Sequence, residues 1–136
     1  MKSKAVLKDG MYFIGELDGF DIPVDADEKV GGRNLGPKPK GLVLTSLAGC
    51  TGMDVISILR KMKIEPESFS VEVEAGVTDE HPKVFDGVKI IYRLKGKNIP
   101  REKVKHAVEL SQDKYCGVSA MLKKATTIDY EIVIEE

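Results

Sequence analysis

The chain has no tryptophan, and aromatic residues make up only 6% of it. That scarcity argues against an aromatic cage or a base-stacking platform. It has no strong charge of either sign: 21 basic residues oppose 22 acidic ones for a net charge of −1. No long-range field therefore marks a nucleic-acid partner. Met1-Lys2-Ser3-Lys4 leads into a short alternating stretch without the apolar core of a signal peptide, so a cytoplasmic protein is expected. The uncharged run Gly41–Met53 is too short for a membrane span, which needs roughly 20 apolar residues. Cysteine occurs twice, and two cysteines in a cytosolic chain rarely form a permanent disulfide; if they pair, the pairing is catalytic or redox-sensing. There is no GxGxxG, P-loop or GxSxG, and Gly31-Gly32 is only a glycine pair in a loop.

What is present is organised around Pro39–Lys63, with Cys50 near its middle. The first half has no polar face and reads as a helix buried on most sides. The second half is amphipathic, with Asp54, Ser57, Arg60 and Lys61 at helical spacing opposite Val55, Ile56, Ile58, Leu59 and Met62. Thr45, Gly49 and Gly52 form a small-residue stripe, and each mid-helix glycine costs about 1 kcal/mol relative to alanine. Close approach of another backbone would offset that cost. The approach is either intrachain packing on a sheet or a second copy of the same helix.

Before the helix, residues 3–8 and 11–17 flank Asp9-Gly10, a hairpin signal, and Asp18-Gly19 repeats the device. Pro23 places the third strand at an edge. Residues 26–40 form a Gly- and Pro-rich loop of a length usually tied to function or disorder. After the helix, Phe69–Thr78 and Val88–Lys95 alternate as hairpin partners, acidic on one strand and basic on the next, which predicts cross-strand ion pairs. Pro100 opens a helix, a second begins near Cys116, and Ile128–Ile134 closes the chain as a strand. Strand runs with segregated helices mean α+β, in a single domain over residues 1–136.

Cys50 in an apolar helix reads first as a small, unreactive hydrophobe whose thiol pKa burial would raise. Cys116 sits at an apparent helix start, where a thiol pKa is lowered. Cys50, His81, His106 and Cys116 match no zinc spacing, so no metal is expected.

PKPKGLVLTSLAGCTGMDVISILRKMKI, followed by LSQDKYCGVSAMLKKA, resembles the OsmC/Ohr family of thiol peroxidases, and within it the OsmC-like branch. The resemblance covers nearly the whole chain. It implies an intertwined homodimer, two layers of antiparallel sheet around a long central helix. It also implies that Cys50 attacks an organic hydroperoxide as a thiolate, that Cys116 resolves the sulfenic acid, and that a dithiol reductant, often lipoyl-linked in the family, restores the pair. No cofactor, metal, nucleic acid or membrane enters that scheme. The family's peroxidases place a glutamate after the proline before the helix and pair it with an arginine in an early loop. Here Lys40 follows Pro39 and the first arginine is Arg33, so Arg33 or Lys40 becomes the candidate cation for the thiolate. The alternative reading keeps the fold and uses the cavity beside Cys50 for an apolar ligand, or Cys50 for another thiol exchange.

Overall fold

The computed structural model describes residues 1–136, which cluster into two compact units, Met1–Val43 and Leu44–Glu136. The first holds an antiparallel sheet of β1 (Lys4–Asp9), β2 (Tyr12–Leu17) and β3 (Phe20–Val24), in that order. Its two turns are those read from the sequence: Gly10 has φ 54°, and Asp18 and Gly19 have φ 54° and 82°, the left-handed pair that matches strand twist in a tight hairpin. Pro23 lies on the edge strand as expected, opposite Ile14.

The loop after β3 is built around one carboxylate. Asp25 is 2% exposed and accepts hydrogen bonds from the backbone N–H groups of Ala26, Arg33 and Leu35 at 2.8, 3.0 and 3.2 Å. These bonds, that from Arg33 foremost, hold its carboxyl below the usual range. The coil is tight enough that a Cβ on Gly32 would stand 1.8 Å from the Ala26 carbonyl oxygen, so only glycine fits there.

In the second unit, β4 (Ser68–Val77) pairs antiparallel with β5 (Phe85–Lys95), and Val71 faces Tyr92. The expected salt links are present on the wet face as Arg93–Glu72 at 2.8 Å, and Lys89–Glu131 at 2.9 Å joins the next strand. That strand, β6 (Ile128–Glu135), runs parallel to β5, so this sheet is mixed instead of antiparallel throughout. The reason is the connection: α2 (Arg101–Leu110), a π-helical turn at Ser111–Tyr115 and α3 (Gly117–Lys123) form a crossover long enough to return the chain to the starting end of β5.

The long helix, α1, spans Gly41–Lys61, 21 residues. It is therefore long and apolar enough to cross a membrane, contrary to the reading from the uncharged run alone. Its packing makes it a core helix. Leu47, Thr51, Val55 and Leu59, spaced four apart, are fully buried. The apolar members join Val88, Ile90, Tyr92 and Leu94 of β5 and Val104, Ala107 and Val108 of α2 in one cluster. Burying such side chains stabilises by roughly 1.5–3 kcal/mol each. Within the chain only this face of α1 is fully buried; Met53 is 72% exposed. Gly52 packs on β4, where a Cβ would meet Val71 Cγ2 at 3.3 Å, whereas one on Gly49 would meet nothing within 4 Å.

Candidate functional site

Cys50 sits mid-way along α1, half-buried against the core cluster. One turn later on the same face comes Asp54. Cys116 arrives from the other side of the sequence. The wide turn at Ser111–Tyr115 ends when the Cys116 N–H bonds the Ser111 carbonyl at 2.8 Å, and Cys116 leaves the helical conformation with φ −75° and ψ 102°. It then caps α3, its Sγ accepting the Ser119 N–H at 3.3 Å. The result is convergence: Cys50 Sγ, Cys116 Sγ and a carboxylate oxygen of Asp54 all lie within 4.8 Å of one another. Both cysteines are free thiols.

Burial pushes the Cys50 thiol up from its ordinary value, and the neighbouring Cys116 thiol and the Asp54 carboxylate push in the same direction. The Val118 N–H, from the first turn of α3, opposes them. No cation is among these main influences.

Beside the thiols runs a buried polar chain that the sequence reading did not find. Thr51 Oγ1 lies 2.6 Å from the Tyr92 hydroxyl and 2.7 Å from Ser111 Oγ, and Ser111 Oγ lies 3.0 Å from Asp54 Oδ2. Gln112 Nε2 donates to Thr51 Oγ1 at 3.2 Å and to the Tyr92 hydroxyl at 3.1 Å. The proton directions follow from counting. A carboxylate only accepts, so Ser111 donates to Asp54. Ser111 has one proton, so Thr51 must donate to Ser111, and Tyr92 to Thr51. Every hydroxyl is then satisfied and the chain points one way, toward Asp54. Burial, partly offset by the bonds from Thr51 and Gln112, pushes the Tyr92 phenol up to about 12 and so keeps it a donor. The usable sequence signals were Thr51 at a core position of an otherwise apolar helix face and Asp54 four residues after Cys50.

Asp54 also opens to a cleft of about 300 Å³, lined with Ser57, Ile58, Lys61, Leu110 and Tyr115. The two proposed cations belong to the other unit. Arg33 forms an ion pair with Asp9, and Lys40 is the exposed residue before α1, its carbonyl accepting the Val43 N–H at 3.1 Å. His81 and His106 are exposed and do not join the cysteines, whose third potential ligand is Asp54.

Comparison with known proteins follows the same lines. Residues 31–131 match the family described as OsmC-like protein. Protein YhfA of Escherichia coli K12 is 31% identical over 136 residues, covering 98% of each chain. The crystal structure of a hypothetical protein from Aquifex aeolicus VF5 superposes with TM-score 0.83 at 28% identity, over 99% of this chain and 97% of that one. An organic hydroperoxide resistance protein OsmC from Legionella pneumophila shares the fold alone, with TM-score 0.72 at 18% identity over 97% of this chain and 95% of that one. With a mixed and an antiparallel three-stranded sheet, a long core helix and both cysteine segments accounted for, the chain belongs to the OsmC-like protein family.

Proposed function

We propose that this protein reduces organic hydroperoxides with Cys50 and Cys116 as its redox pair. The observation that carries the reading is the approach of two free sulfurs to within 4.8 Å, from segments 66 residues apart in sequence (116 − 50). Membership of a family with structurally similar hydroperoxide-resistance proteins supports it. The Cys50 thiolate attacks the terminal peroxide oxygen, the O–O bond breaks, and the alkoxide leaves as the alcohol after taking a proton. Cys50 is left as a sulfenic acid. Cys116 attacks that sulfur, water leaves, and a Cys50–Cys116 disulfide forms. An external dithiol returns two electrons and two protons by exchange.

Activity requires something that favours the Cys50 thiolate, against the burial that disfavours it. Arg33 and Lys40, both before α1, are the proposed source, in a homodimer whose second copy covers the outer face of α1. What supports the dimer is an open apolar groove of about 420 Å³ between α1 and β4, with Gly49 and the exposed Met53 on its rim. The raised Cys50 thiol favours a second reading, in which the same groove binds an apolar ligand and Cys50 is not peroxidatic.

Mass spectrometry after one equivalent of cumene hydroperoxide separates the two. The expected result is loss of two hydrogens with a Cys50–Cys116 linked peptide. Unchanged thiols would sink the peroxidase. If Arg33→Ala and Lys40→Ala both left the apparent pKa of Cys50 unchanged, neither supplies the cation.

A further inference from the structure

The convergence of Cys50, Asp54 and Cys116 has a use that does not depend on peroxide. We propose that these three side chains form a binding site for a thiophilic divalent cation, of the kind zinc represents, when both cysteines are reduced.

The donor set is the first argument. Two thiols and a carboxylate are all ligands that zinc accepts, and three protein ligands with one position left for water is the arrangement of an open zinc site. Spacing is the second. With Zn–S bonds of about 2.3 Å and tetrahedral angles, ligated sulfurs stand about 3.8 Å apart. The three ligand atoms already lie within 4.8 Å of one another, so binding asks for at most about 1 Å of contraction between the sulfurs and slightly more between sulfur and oxygen. The two thiols already touch, a contact that a shared central ion would replace.

Support from surrounding groups is the third argument, and the least expected for an accidental cluster. Ligating carboxylates in real sites are themselves hydrogen-bonded. Here Ser111 donates to Asp54 Oδ2 at 3.0 Å, at the end of the one-way chain from Tyr92 through Thr51, so a ligating Asp54 would itself be hydrogen-bonded. Each sulfur also has a backbone donor, the Ser119 N–H on Cys116 at 3.3 Å and the Val118 N–H on Cys50. Access is the fourth, since Asp54 lines the cleft with Lys61 and Tyr115. The ligands are not the four counted from the sequence: an aspartate one helical turn from Cys50 stands where two surface histidines had been considered.

Oxidation would reverse the binding. Two metal-bound thiolates, one hydroperoxide and two protons yield the disulfide, the alcohol, water and the free divalent ion, with two electrons passing from the sulfurs to the O–O bond. Occupancy and disulfide are therefore mutually exclusive states of the same pair.

The test is titration of the reduced full-length protein with Co²⁺, read by absorption. The expected result is a thiolate-to-cobalt charge-transfer band with tetrahedral ligand-field bands, saturating at one ion per chain and displaced by Zn²⁺. Cys50→Ser and Cys116→Ser should each remove the charge-transfer intensity that belongs to one sulfur. Ser111→Ala, which touches no metal, should weaken binding about 10–100-fold through loss of the Asp54 support. Far-UV circular dichroism confirms that each variant is folded. Absence of a charge-transfer band in folded, reduced protein overturns the proposal, as does a band unchanged in both cysteine variants. Cobalt binding with no oxidation by hydroperoxide would leave the metal site standing and remove the peroxidase; the reverse pattern would do the opposite.

Discussion

Thr51 is the junction of the buried chain, and a pair of substitutions there tests whether the chain or the packing matters more. Thr51→Val preserves shape and helix propensity but removes the hydroxyl. The Tyr92 O–H then loses its acceptor at 2.6 Å, and Ser111 loses its donor at 2.7 Å. A buried donor left unpaired costs about 1–3 kcal/mol and a lost neutral hydrogen bond about 1 kcal/mol. Burying a methyl in place of the hydroxyl returns at most about 0.8 kcal/mol. The net expectation is about 1–3 kcal/mol of destabilisation, centred near 2. Thr51→Ser keeps the chain intact and removes one methyl from a site with no exposure, a loss of about 1 kcal/mol by analogy with Ile→Val. Valine should therefore be worse than serine, although it fills the space better. Urea unfolding of the reduced proteins, followed by circular dichroism, gives both numbers. Valine within 0.5 kcal/mol of the parent, or an inverted order, would refute the assigned proton directions and make Thr51 an ordinary packing residue.

Two further outcomes follow from other parts of the molecule. Gly32→Ala forces a Cβ to 1.8 Å from the Ala26 carbonyl oxygen, so the Asp25-centred coil must open; limited proteolysis should cut residues 26–40 far faster than in the parent, and equal rates would show that the coil is not held as described. Asp54→Asn removes a negative charge that pushes the Cys50 thiol up, so the pH profile of iodoacetamide alkylation at Cys50 should move to lower pH, and an upward move would show that Asp54 acts on Cys50 in the opposite sense.

Much of the fold was legible in the sequence because its signals are local. Asp9-Gly10 and Asp18-Gly19 demand left-handed backbone, Pro23 demands an edge, and strict alternation over Phe69–Thr78 demands a half-buried strand. The start of α3 at Cys116 was also local, marked by Gly117 after a run of polar residues. The direction of β6 was not, because alternation is the same for parallel and antiparallel pairing and only the crossover through α2 and α3 decides between them. The polar chain was invisible for a different reason. Thr51, Tyr92 and Ser111 each lie on a different element, and their meaning appears only when the three elements meet. Asp54 looked like the first charge of an amphipathic helix, and its role depends on Cys116, 62 positions later (116 − 54). Arg33 stands in the loop before α1, but its partner, Asp9, is the last residue of β1, 24 positions earlier (33 − 9).

The one-way order of the hydroxyls carries an optical consequence. Tyr92, Thr51 and Ser111 pass their protons one way because Asp54 accepts at the far end, so a proton placed on Asp54 Oδ2 alters the hydrogen bonding felt by the phenol ring. Tyrosine absorbance shifts with that bonding. With four tyrosines and no indole to mask them, Tyr92 is a built-in ultraviolet gauge of events at a carboxylate it does not touch.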